Sequence, residues 1–330
     1  MNQPSIIVDS KKPGHFVLDL IKRLFKEKPM GAAGAIILLI IILVAIFANF
    51  IAPYPMTEIH LGDTVHPPSA KYLLGTDYLG RDLFTLIIYG ARVSILIGLA
   101  GTCINILVAL ILGGVSGYFG GKIDMVIQRV IDAWMCFPPL FILLTIMAMF
   151  KSGIFQVIVV LGLFYGITNA RVIRGTILSI KEITYMKAAE SIGATHIRRM
   201  FNHILPNILA PIIVLFTISV GQIILSEATL SFLGFGVPPP NPSWGQMINN
   251  STRYITQGPW MGIFPGLALS MVVFSINMLG DGLRDILDPR LRGGSGRYGK
   301  IIINKRLPGQ KSSTFTRELP EHMKDKDKHI

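Results

Sequence analysis

Six long apolar runs alternate with shorter polar stretches along this chain, at roughly 31–52, 92–116, 133–150, 154–170, 208–228 and 260–282. Each is close to the ~20 residues that an apolar helix needs to cross a bilayer core, so the pattern predicts an all-α polytopic membrane protein with about six transmembrane helices. Pro138 and Pro139 fall inside the third run and should break or kink its helix. The second run holds Gly98, Gly101, Gly113, Gly114 and Gly117 with Asn105, the composition of a helix packed inside a bundle, where Asn105 is expected to bond across to a neighbour. Ahead of the first run, Phe16, Leu18, Leu20, Ile21 and Leu24 recur near helical spacing around Lys22 and Arg23, which predicts an amphipathic lead along the membrane surface.

Two polar stretches interrupt the runs on opposite sides. One, Tyr185 to Asn207, is a basic island between the fourth and fifth runs. Lys187, Ala188, Ala189, Glu190 and Ile192 suggest a short helix that Gly193 ends through a left-handed conformation, and a second short helix follows. Pro206 fits the first turn of the next helix, where a missing N–H costs nothing. The other side holds residues 53–91 and 231–260, dense in Gly and Pro. There a helix is expected over about 75–90, lying at the interface with bends at Gly75, Gly80 and Gly90, and Gly80, Arg81 and Asp82 by themselves read as a turn with a solvated ion pair. Glu227, at the end of the fifth run, should face protein, water or a partner, because an ionisable group facing lipid is costly. Trp244 and Trp260 fit interfacial anchors.

Composition agrees with this reading. The 330 residues are 51% hydrophobic, and the net charge of +12 sorts by side of the membrane instead of forming one patch. Lys11, Lys12, Lys22, Arg23, Lys26 and Lys28 precede the first run, the island is basic, and the C-terminal tail holds the largest group. The positive-inside rule then places both termini and the island in the cytoplasm of a cell membrane, and makes nucleic-acid binding an unneeded explanation. The first run is too long for a signal-peptide core, and Pro53, Tyr54 and Pro55 make a poor cleavage site, so it reads as a retained anchor. The expected organisation is a cytoplasmic lead (1–30), an anchor helix (31–52), an extracytoplasmic loop with its interfacial helix (53–91), a core of five spans (92–293) and a basic, disordered tail (294–330).

Familiar catalytic patterns fail. Gly294, Gly296 and Gly299 spell a dinucleotide fingerprint and Gly294 to Lys300 most of a phosphate loop, but Ile301 stands where a magnesium-binding Ser or Thr belongs and no strand precedes them. No metal-ligand spacing or nucleophile elbow is present, Cys103 and Cys136 lie in or beside apolar runs, and no cofactor is expected on this chain.

The island resembles the cytoplasmic signature of ATP-binding-cassette import permeases, EAA, three residues, Gly, nine residues, then I-x-LP. Lys187, Ala188, Ala189, Gly193, His203, Leu205 and Pro206 occupy those positions, with Lys187 and His203 departing from the general pattern. The His-Ile-Leu-Pro-Asn form ending at Asn207, with Tyr185 upstream, is similar to the dipeptide, oligopeptide and nickel branch, as are Leu73 to Ile95, Ser226 to Ile248 and Gly280 to Arg292. The resemblance covers about residues 16–293 and implies a type I importer fold and the second, C-type permease of a peptide importer. It further implies a heterodimer with a second permease, two cytoplasmic ATPases that hold ATP and magnesium, and an external substrate-binding protein. Tyr185, Lys187 to Glu190, Gly193, His203 and Leu205 to Asn207 would then couple the chain to an ATPase. Gly80, Arg81, Asp82, Glu227 and Trp244 would lie at the outer gate or docking face, with Gly80 to Asp82 in an outer helix. Short peptides, glutathione, nickel or another metal chelate remain open as substrates. A secondary transporter or a channel subunit, the rivals from other classes, would need buried ionisable residues or a filter segment, and would work without an ATPase.

Overall fold

The structure is a computed structural model and describes residues 16–183, Met186 and residues 193–287. The described residues are helical and contain no strand, only an isolated antiparallel bridge between Thr76 and Asp82. The expected tail lies outside them, as do residues 1–15.

Helix α1 (Phe16–Glu27) buries Leu24 with Ala32 and Ile286 and leaves Leu18, Ile21 and Phe25 exposed. Helix α2 (Pro29–Ile46) starts on Pro29, whose missing N–H falls among the donors that a first turn leaves free. Its small residues Gly31 and Gly34 face the last helix, while Ile36, Leu39, Ile40 and Leu43 point outward. The long α3 (Leu83–Phe119) is opened by Asp82, whose Oδ2 accepts from the Thr85 N–H at 2.8 Å. Helices α4 (Gly121–Met135) and α5 (Pro139–Met149) are bent by 88° at the Pro138-Pro139 break. Then follow α6 (Ile154–Lys181), α7 (Leu205–Phe232), α8 (Trp244–Ser251) and α9 (Trp260–Leu287). Among the described residues five helices are long and apolar enough to cross a membrane, and six spans result if the bent pair is one.

The axis of the bundle is the pair α3 and α6. Gly162 and Gly166, one turn apart on α6, let the backbones close: a Cβ on Gly166 would stand 2.6 Å from Val108 Cβ and 3.0 Å from the Asn105 carbonyl. Asn105 is fully buried, and its Oδ1 accepts from Asn169 Nδ2 at 3.1 Å, so it ties helices together as its sequence position suggested. Asn169 reaches on to Ser219 Oγ of α7 at 3.3 Å.

Two helix limits differ from the sequence reading. No separate helix covers 75–90; from Leu83 onward those residues are the first turns of α3. Gly90 does not bend it, because its bare Cα admits the Trp244 indole. Helix α6 also runs past the end of the fourth apolar run at 170, through Arg171 and Arg174, to Lys181. Both arginines meet carboxylates of α4: Arg174 Nε lies 2.6 Å from Asp124, and Arg171 pairs with Asp132. A paired cation inside a helix need not mark its end.

Residues 52–82 form a loop around four rings, Tyr54, His60, His66 and Tyr72, with centroids 5.6–6.0 Å apart. Asp63 accepts from Lys71 Nζ at 2.8 Å and from the Tyr72 hydroxyl at 2.9 Å. Those two bonds, Lys71 first, hold the Asp63 carboxyl below the usual aspartate range. A carboxyl depressed in the folded state contributes stability that is complete above its unfolded pKa and is lost as pH falls through the folded one. Hydrogen exchange over 61–76 should therefore stay protected from neutral pH down to the ordinary aspartate pKa of 3.8, and rise only below it. Asp63→Asn should show raised exchange already at pH 7 and lose that acid step; an identical acid profile in the variant would refute the assignment.

Candidate functional site

At one end of the bundle lie the remains of the basic island. Tyr185, Lys187, Ala188, Ala189 and Glu190 lie outside the described residues. Gly193 has φ +78°, the left-handed conformation expected of it, and is exposed. Thr195 then caps a helical turn, His196–Arg199, accepting from the Arg198 N–H at 3.4 Å. Met200–Ile204 widens into a π-turn that feeds α7. The Leu205 N–H closes it on the Met200 carbonyl, and Pro206 supplies no N–H to the Asn202 carbonyl four residues earlier. Asn207 Nδ2 donates to the His203 carbonyl at 2.6 Å, and Pro206 and Asn207 are exposed while Leu205 and His203 are half-buried.

Three residues hold this end together without having been singled out from sequence. Met186 is buried in one cluster with Ile180, Ile204 and Ile208. Asp124 receives Arg174 and the Ser116 hydroxyl, joining α3, α4 and α6. Tyr118, at the end of α3, places its hydroxyl 2.8 Å from His196 Nδ1. A tyrosine at the polar end of an apolar run was the available signal, and it named no partner. The charged cavity beside them, about 450 Å³, is lined by Asp124, Gln128, Asp132, Arg171 and Arg174 among others.

At the opposite end the two Gly- and Pro-rich segments interlock. The expected ion pair at Gly80 to Asp82 is differently built: Arg81 pairs with Asp77 at 2.7 Å, with Asp77 buried, and Asp82 caps α3. Gly80, at φ +77°, has no room for a Cβ against the His60 carbonyl. Glu227 is fully buried inside the chain. Its Oε1 accepts from Ser231 Oγ at 2.6 Å and Ser243 Oγ at 2.7 Å, which ties the end of α7 to the start of α8. Trp244 is 1% exposed, and its Nε1 donates to the Ile87 carbonyl at 3.1 Å. Trp260 Nε1 donates to the Thr76 carbonyl at 3.3 Å. The Trp244 indole thus packs within the chain and Trp260 is half-buried, each with its N–H on a backbone carbonyl. Tyr78 and Tyr254 stack at 5.8 Å and close the contact between the two segments. Among the described residues no group of His, Cys, Asp or Glu is arranged to hold a metal ion.

A bundle of apolar helices with a bent helix pair, a tethered cap at one end and a basic, glycine-hinged insert at the other has the architecture of an ABC importer permease. A solved structure of the MetNI methionine ABC transporter in inward-facing conformations shares this fold, with a TM-score of 0.50 at 16% identity over 62% of this chain and 96% of that one. Residues 105–293 match the binding-protein-dependent transport system inner membrane component family, and residues 18–68 match the N-terminal TM domain of oligopeptide transport permease C. The chain belongs to that inner membrane component family. It is 38% identical to the oligopeptide transport system permease protein OppC of Bacillus subtilis, over 81% of this chain and 88% of the relative. It is 37% identical to the dipeptide permease DppC of Alkalihalophilus pseudofirmus (83% and 90%) and 38% identical to the glutathione permease GsiD of Escherichia coli (82% and 90%). Membership makes it a multi-pass inner membrane component and a permease subunit, with an ATPase and a substrate-binding protein as its implied partners.

Proposed function

We propose that this chain forms, with a second homologous permease, the translocation path of an ATP-driven importer of short peptides. The observation that supports this most is the similarity to oligopeptide and dipeptide permeases along nearly the whole length of both chains. In this reading the basic end and both termini face the cytoplasm. Residues 185–207 dock on one of two ATPases, which bind ATP and magnesium and supply the hydrolysis that this chain does not. Gly193 sets the direction in which the docking stretch leaves, and α6 and α7, which flank it, receive the push. ATPase closure stabilises the outward-facing arrangement and opening the inward-facing one, so the path alternates by differential stability of two states. The cap of residues 52–82 and 233–259 receives the substrate-binding protein, and Glu227 holds that cap on α7.

Glutathione is a second reading, favoured by the equal identity to a glutathione permease; it is itself a tripeptide, so it differs from the first in linkage more than in class. Affinity recovery of the tagged chain from its own membranes in mild detergent, with mass spectrometry of what accompanies it, tests the assembly. A second permease and ATPases are expected, and uptake of labelled tri-alanine that excess glutathione does not block would decide between the substrates. A chain recovered alone or only with itself after crosslinking would overturn the reading.

A further inference from the structure

Both ends of residues 182–195 stand on one residue of another helix. Just before them, Lys181 Nζ donates to the Tyr118 carbonyl at 2.7 Å, in the last turn of α3, where carbonyls lack intrahelical donors. Just after them, His196 Nδ1 meets the Tyr118 hydroxyl at 2.8 Å, with the rings edge to face and their centroids 5.7 Å apart. Cations flank the ring too, Lys181 Nζ at 5.8 Å and Arg199 Cζ at 6.0 Å from its centroid. Tyr118 is 7% exposed, while His196 is exposed, so the grip is half-buried.

We propose that Tyr118 is the positioning residue that couples the island to α3, so that a push on residues 182–195 moves three helices instead of two. By covalent connection the stretch reaches only α6 and α7. Its exit toward α7 passes a left-handed glycine and then a π-turn, and a displacement could be absorbed there by local rotation. Tyr118 closes that slack. It clamps the two feet of the loop together and fixes them to α3, which is itself locked to α6 through Gly162 and Gly166 and to α4 through the Ser116 and Asp124 contact. The inference rests on the coupling role proposed above for the island; the contact itself does not depend on that role.

The test uses the whole complex, recovered through a tag on this chain and reconstituted in vesicles with its binding protein, with tri-alanine as the transported probe. Tyr118→Phe removes the hydroxyl and keeps the ring, and His196→Ala removes its partner. Each should lower tri-alanine taken up per ATP hydrolysed by roughly threefold to tenfold, the range that one hydrogen bond spans. The double variant should be no worse than His196→Ala, which removes the Tyr118 contact together with the one that Arg199 Nη2 makes to the same nitrogen at 3.0 Å. In Tyr118→Phe, which leaves residues 185–207 intact, ATPase recovery and basal hydrolysis should stay at wild-type level, which a merely structural role would not predict. An unchanged ratio in Tyr118→Phe, losses that multiply in the double variant, or loss of the assembled complex in Tyr118→Phe would each overturn the proposal. A wild-type chain that brings down no ATPase would instead overturn the coupling reading, and the two failures are told apart by that first recovery.

Discussion

Valine at Gly193 is expected to abolish most ATP-coupled uptake while leaving the chain inserted in the membrane. Gly193 sits at φ +78°, and among the described residues no heavy atom beyond its chain neighbours lies within 4 Å of where its Cβ would be. The penalty is therefore one of backbone conformation and not of collision. A left-handed L-residue costs about 1–2 kcal/mol, and a β-branched one stands at the upper end or beyond. If the docking stretch must leave Gly193 in this one direction, a cost of about 2 kcal/mol makes the competent conformer about thirtyfold rarer, and apparent affinity for the ATPase falls by the same factor. Asparagine, which tolerates the left-handed region, should lose least and alanine an intermediate amount. Co-recovery of ATPase and tri-alanine uptake should follow the order Gly, Asn, Ala, Val. Full ATPase recovery with the valine variant would remove Gly193 from the coupling machinery.

The long helices were legible in the sequence because burial in lipid and burial in protein both demand apolar residues, and a run such as Ile154 to Ala170 meets either demand. What the pattern could not supply was the partner that each polar or aromatic residue would find. Arg171 and Arg174 look like a helix end until Asp132 and Asp124 are placed beside them on α4. Gly90 looks like a bend until the Trp244 ring is seen against it, 157 residues along the chain from the carbonyl it bonds at Ile87. The coupling island divides in the same way. Gly193, Thr195 and Pro206 act through local backbone chemistry, and a turn, a cap and a helix start can be read from their order. Tyr118 acts at a sequence separation of 78 residues from His196, and nothing local to either announces the other.

Loss of the Trp244 side chain should release the cap at the opposite end without disturbing the basic end. The indole is 1% exposed and packs in one cluster with Leu83, Leu86, Ile224 and Met247, so it joins α3, α7 and α8. Truncating a buried tryptophan to alanine costs about 3–5 kcal/mol, of which the lost Nε1 to Ile87 bond is the smaller part. Trp244→Phe keeps most of the apolar volume and should lose about 1–2 kcal/mol. Trp244→Ala would also loosen the bonds that Ser243 makes to Glu227 and Asn249 to the Phe232 carbonyl. Those bonds share the same short segment, so adding Glu227→Ala should cost less than the sum of the two single losses. The measurable consequence is faster hydrogen exchange over residues 233–259 in Trp244→Ala, with residues 196–208 unchanged and ATPases still recovered. Binding-protein-stimulated hydrolysis should fall while basal hydrolysis stays, because the docking face has lost its shape and the coupling end has not. Exchange over 233–259 equal to wild type would mean that Glu227 and Asn249 hold the cap by themselves. Lost ATPase recovery would mean that the two ends of the bundle are not independent.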